Sequence, residues 1–175
     1  MARASTNDLL QNFRFHVKAA RAGDDVDILP FTNPEDGEAG FQSVTIPEVS
    51  ADAVEYREGT DTWTRKYPGP PTVGSGSLMR GVAKEDTVFW EWMLNMINAT
   101  EEFRCDLTIH HFSRDESPDV GGAASRYYVC YNCFPTRVKP AADLDSTSGD
   151  VSVAELDFEL ERVAVFTPGN PDGIG

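Results

Sequence analysis

At 175 residues the chain has the length of one domain, and it can bury a core without metal or disulfide staples. Its formal net charge of −14 excludes a general affinity for nucleic acid or anionic membrane, both of which select lysine and arginine. The acidity fits three readings: plain solubility, adaptation to high salt, or a functional acidic surface. Arginine outnumbers lysine, and its planar fork suits ion pairs at interfaces.

No basic start followed by an apolar run occurs in Met1 to Gln11, and no stretch approaches the roughly 20 apolar residues of a membrane span. The expectation is a chain that folds and assembles in the cytoplasm. Three cysteines, an odd number, fit a reduced compartment better than a disulfide framework.

In chain order, Phe13, Phe15 and Val17 alternate with Arg14, His16 and Lys18, which predicts a first strand with one apolar face. Ala20 to Gly40 carries glycine, proline and six acidic residues and reads as a loop, with Ile28, Leu29 and Phe31 as a small docking knot. Gly40 to Val82 reads as one long hairpin. Phe41 to Ile46 alternates, Pro47 interrupts the ladder, and pairing resumes from Val49 to Arg57. Glu58 to Asp61 is the turn, Trp63 to Tyr67 returns, and Pro68-Gly69-Pro70-Pro71 is expected to leave regular structure before Ser77 to Val82 extends again. The faces of this arm are weakly apolar, so it needs a surface to lie on, and a second copy of the chain is the natural one.

A helix is predicted from Thr87 to Asn98. Asp86 serves as its N-cap, Val88, Phe89, Trp92, Met93, Met96 and Ile97 form its apolar stripe, and Asn98 closes it in a left-handed conformation. Phe103 to Phe112 is a strand with Phe103, Cys105, Leu107 and Ile109 on one face. Arg126 to Phe134 is a strand with aromatics on both faces. Val151 to Val165 is the last strand: Leu156, Phe158 and Leu160 point one way, and Glu155, Asp157, Glu159 and Glu161 the other. Residues 166–175 read as a flexible tail. The expected fold is mainly β: an antiparallel β-barrel, closed or nearly so, with one flanking α-helix and a long extended hairpin arm.

Several blocks of the arm and its flanks occur in a specific order. VEYREG (Val54 to Gly59), WTRKYPG (Trp63 to Gly69) and GSLMRGV (Gly76 to Val82) follow DLLQNFRFHV and GFQSVTIPEVSA. FWEWM and FPTRVKPAADLDSTSGDVSVAELDFELERV come after them. Together they resemble the tail tube protein family of contractile-tailed phages and phage-tail-like contractile injection systems. The resemblance covers most of the chain and departs at Ala20 to Ala39, an apparent insertion, and at Pro70-Pro71.

The resemblance implies a β-barrel flanked by a helix. It also implies hexameric rings stacked into a hollow tube inside a contractile sheath, with baseplate or tube initiator and terminator proteins at the ends. DNA or protein cargo would pass through the lumen without specific binding, and the subunit itself would not insert in a membrane. It implies assembly in the host cytoplasm and a place in a virion tail or injection particle, with no cofactor. A tube initiator or baseplate-proximal paralogue shares the same core, and a monomeric β-barrel ligand-binding module is the alternative from another class. The signature hairpin supplies the candidate assembly residues Tyr56, Arg57, Glu58, Trp63, Arg65, Tyr67 and Arg80. The acidic stripe Glu155, Asp157, Glu159 and Glu161 would face the lumen, where the inner wall is a continuous sheet. Placed on the outer wall it would attract a basic sheath over ~8 Å, and at a seam it would need Arg57, Arg65, Arg80 or Arg104 as partners.

No catalytic, metal or cofactor-binding residue is expected. Cys130 and Cys133 form a C-x-x-C, but residues three apart on a strand point to opposite faces. Cys105 and His111 share a face yet sit roughly 20 Å apart along their strand. The carboxylates of the last strand spread out rather than converge on a cation. Gly74 to Ser77 lacks the lysine of a phosphate loop.

Overall fold

The computed structural model describes residues 10–21, 40–59, 62–84, 86–99, 103–113, 124–147, 149–168 and 170–174. The predicted loop after Arg21, with its Ile28, Leu29 and Phe31, lies outside the described residues. Among those described the order is β1 (Phe15–Arg21), β2 (Phe41–Thr45), β3 (Val49–Tyr56), β4 (Arg65–Val73), β5 (Gly76–Gly81), α1 (Val88–Ile97), β6 (Cys105–His111), β7 (Arg126–Lys139), β8 (Val153–Glu159), β9 (Arg162–Thr167) and β10 (Asn170–Ile174).

The fourteen-residue β7 is the axis of the fold. One edge pairs with β6, which pairs with β1; the other edge runs along β8 and then β9. The predicted last strand is therefore split at Leu160-Glu161, although the Glu161 N–H still donates to the Tyr131 carbonyl at 3.1 Å. Part of the predicted flexible tail is β10, whose backbone pairs with β9. From β8 the sheet continues through β5 to β2, and every pairing is antiparallel.

The barrel is open. Among the described residues β1 and β2 end the ladder without pairing, and a groove of about 400 Å³ separates them, lined by Phe15, Val44, Ile109 and Tyr128 among others. β2 is only five residues long, and the chain turns off into the arm at the buried Pro47 before it could reach β1.

Strand alternation builds the core as the sequence predicts. Val17 and Ala19 of β1, Leu78 of β5, Cys105, Leu107 and Ile109 of β6, and Leu156 and Phe158 of β8 join one buried cluster under Phe89 and Trp92 of α1. Each large side chain buried this way contributes roughly 1.5–3 kcal/mol. Gly76 lies opposite Phe158, and a Cβ there would sit 2.3 Å from the ring. Only glycine lets that buried ring lie against β5.

Four local expectations are corrected. The N-cap of α1 is Thr87, and Asp86 one residue earlier accepts the Val88 N–H at 3.2 Å while its carboxylate is held by Arg80. At the other end Asn98 stays right-handed at φ −83°, and Ala99 takes the left-handed turn at φ 51°. Of the predicted helix stripe, Ile97 is exposed.

The fourth correction concerns Cys130 and Cys133, which both face the core. Asn132 between them has φ 53°, and the register passes from Cys105↔Cys133 to Leu107↔Cys130, so β7 carries one extra residue. This bulge reverses the alternation that would have separated the two thiols. Asn tolerates the left-handed conformation better than most residues, and its N–H donates instead to the Asp106 carboxylate at 2.8 Å.

Candidate assembly surfaces

The arm consists of β3 and β4, paired with each other in a separate two-stranded sheet. It extends the β2–β5 pairing, since the Gly74 N–H donates to the Glu48 carbonyl at 2.8 Å. Contrary to expectation, β4 runs straight through Pro68-Gly69-Pro70-Pro71. Pro71 lies opposite Ala51 and Pro68 opposite Ala53, so Asp52 faces two residues across a bulge. A ribbon of two strands leaves one edge of each unpaired, where a missing N–H loses no ladder bond. Gly69 is required at the bulge, because a Cβ would lie 2.6 Å from the Asp52 carbonyl oxygen.

The arm is held mainly by its ladder and by polar cross-strand pairs. The Ser50 and Thr72 hydroxyls lie 3.0 Å apart, and Lys66 Nζ is 3.3 Å from a Glu55 carboxylate oxygen. Both faces are open: every residue of β3 is exposed, as are Trp63 (81%), Tyr67 (50%) and Tyr56 (53%). An isolated two-stranded hairpin is marginal in water. The structure places Tyr56, Arg57, Glu58, Trp63, Arg65 and Tyr67 together on this exposed arm.

Arg80 belongs elsewhere. It is 1% exposed, ion-paired with Asp86, and stacked 4.6 Å from the Phe89 ring centroid and 5.9 Å from that of Phe41. It fastens β5 to α1 and lies off the exposed arm.

The acidic stripe faces away from Leu156 and Phe158, as alternation requires, but it is not bare. Arg137 of β7 reaches Asp157 at 2.9 Å and Glu155 at 3.3 Å. Glu161 binds Arg104 at 3.0 Å and the Asn132 amide at 2.9 Å. Arg137 was not legible as a partner because the pairing depends on the β7–β8 register, and Arg104, expected only as a partner across a seam, pairs with Glu161 within the chain.

The other chemistry-bearing side chains are structural. All three cysteines are buried and free, and burial pushes the Cys105 thiol up, as its hydrogen bonding with Cys130 and then burial do for Cys133. Such thiols are inert. Among the described residues no group of three or more histidine, cysteine or carboxylate side chains could hold a metal ion, and no helix is long and apolar enough to cross a membrane.

His110 on the outer face of β6 packs edge-on to His16, with centroids 6.0 Å apart, and against Tyr127 at 5.0 Å. Burial, then the charges of His16 and Lys18, push it down from its ordinary 6.5 to about 4. A depressed histidine binds its proton more readily in the unfolded chain. Its share of stability is therefore complete above pH 6.5 and is lost as pH falls toward 4. We expect a loss of about 1–2 kcal/mol from this half-exposed ring. Thermal melts across that window check it: His110→Gln should flatten the decline, and an unchanged profile would contradict it.

Residues 11–164 match the family model described as T4-like virus tail tube protein gp19. The chain belongs to this family. It is a tail tube protein, and its solved structural relatives agree. A chain of an extracellular contractile injection system, from the PVC sheath-tube complex in its extended state, matches with a TM-score of 0.72 at 23% identity, over 95% of this chain and 99% of that one. A chain of the PVC sheath/tube terminator matches at 0.70 and 25% identity, over 93% and 100%. An Hcp protein shares the fold at 0.53 and 10% identity, over 91% and 95%. Among curated proteins, none matches significantly. The tail tube fold accounts for the mainly β architecture and the flanking helix α1.

Proposed function

We propose that this tail tube chain is the repeating subunit of the inner conduit of a contractile tail or injection system, closing hexameric rings that stack inside a sheath. The observation that carries this reading is the arm: a long, mostly exposed ribbon bearing Tyr56, Trp63 and Tyr67, which lie outside the monomer core. Exposed apolar surface of this kind marks a protein–protein contact. The edges of β1 and β2, which end the ladder among the described residues, supply a second surface, because an open barrel edge can continue its sheet into a neighbouring copy. The subunit does no chemistry in this scheme; it is a rigid wall, and the stroke belongs to the sheath. Sheath, baseplate and terminator proteins are its partners at the wall and the ends. The likeness to a sheath/tube terminator, nearly as strong as that to the tube chain, keeps a place in a terminal ring as the second reading.

Electron microscopy of the purified chain tests the proposal. Stacked rings with an axial channel are expected; isolated rings support the terminal place; a compact monomer that saturates with a small ligand contradicts both.

The acidic stripe is proposed to line the lumen, where carboxylates repel phosphates and acidic protein and let cargo slide. Arg137 and Arg104 temper the field without reversing it. Changing Glu155, Asp157 and Glu159 to lysine should leave tubes that still recruit sheath but retain or stall cargo. Loss of sheath binding alone would put the stripe on the outer wall, and loss of rings would put it at a seam.

A further inference from the structure

The arm and an apolar cleft lie at opposite ends of one strand. β5 begins at Gly76, next to the base of the arm, and ends at Gly81. Just past that end a cleft of about 180 Å³ opens between Val82, Trp90 of α1 and Pro140, with the Arg80–Asp86 pair and Phe89 also lining it. Its rim is apolar and open: Val82 is 40% exposed and Trp90 47%. The Val82 N–H donates to the Ser152 carbonyl at 2.9 Å, which ties this end of β5 to the start of β8.

We propose that this cleft receives the arm tip of a second copy of the chain, with Trp63 as the inserted side chain. The inference rests on the tube reading and names the receptor for the arm. A tube is an open stack, so its axial contact must join unlike surfaces. Like surfaces would close a pair and stop. The arm is one unlike surface, reaching roughly 25 Å from the barrel through the eight residues of β3. The cleft, at the far end of β5, is the other, so each copy offers a plug at one end and a socket at the other.

The volume suits one large side chain, and aromatic anchors seated in pockets supply much of the energy at interfaces. Trp63 is the most exposed aromatic on the arm. The β1–β2 groove is the competing receptor. It is lined by Ser43, Val44 and Ile46, at the root of the arm itself, which makes it a lateral surface rather than an opposite end.

Engineered cross-linking tests this. Thr62→Cys beside Trp63 and Lys84→Cys beside Val82 are both at exposed positions, and the native thiols are buried. Tubes of the double variant treated with a short bis-maleimide should run on a denaturing gel as a ladder of covalent multimers. Thr62→Cys paired with Phe13→Cys, exposed just before β1, should give none. Tubes without a ladder from the 62–84 pair overturn the cleft and leave the tube reading intact, as does a ladder from the 62–13 pair alone. A wild-type chain that forms no tubes overturns the tube reading itself. Should the double-cysteine variant fail to assemble, Trp90→Glu, with the arm untouched, decides: rings that no longer stack are expected, and tubes of normal length overturn the proposal.

Discussion

Asp86→Ala will destabilise the chain by about 3–5 kcal/mol, the range for removing one partner of a buried ion pair. Arg80 is 1% exposed and cannot swing to solvent without unpacking Phe89, on which it stacks. The carboxylate has a second duty, since it also accepts the first helical N–H, from Val88. Loss of that hydrogen bond contributes about 1 kcal/mol. Asp86→Asn separates the two roles, because the amide oxygen can still accept from Val88 while the charge is gone. Replacing the pair together, Arg80→Met with Asp86→Ala, should recover much of the loss, as a buried ion pair is close to neutral against an apolar filling. Chemical denaturation of the single and double variants checks this. Additive losses in the double variant would show that the two side chains act independently.

Trp92→Ala should cost a similar about 3–5 kcal/mol, comparable to much of a domain's net stability. The side chain is fully buried at the centre of the cluster that α1 shares with β1, β5, β6 and β8. Its indole N–H donates to the Phe103 carbonyl at 2.7 Å, which ties the helix to the start of β6. Trp92→Phe keeps most of the packing and loses that bond, so it should cost far less than the alanine change. An alanine variant that melts with the wild type would show that the helix is not a structural lid.

Most of the barrel was legible because alternation is a strong signal wherever one face is buried. Val17, Leu107, Ile109, Leu156 and Phe158 all face the core as their spacing predicts. The same rule, applied further, would have found Arg80, since it shares parity with Leu78 on β5; its place in a signature block drew it instead to the assembly set. What alternation cannot carry is an inserted residue. Asn132 reverses the face of β7 within the C-x-x-C, and Asp52 against Gly69-Pro70 lets a strand pass through prolines that ought to end it. Both are bulges, whose positions depend on the partner strand rather than on local sequence. The open barrel is of the same kind: no local pattern says that β1 and β2 fall short of each other. For the arm, local pattern was sufficient only for β3 and the start of β4, where weak amphipathicity matches exposure on both faces; β2 and β5, read as parts of the same hairpin, join the barrel sheet, and β5 is buried at alternate positions.

The most direct measurement is the behaviour of the arm variant Trp63→Ser with Tyr67→Ser, followed by thermal melting, size-exclusion chromatography and electron microscopy together. Both side chains are exposed on a ribbon outside the core, so the variant should melt as the wild type does yet build no tubes, leaving only rings or smaller species. Tubes of normal length from this variant would contradict the assignment of assembly to the arm.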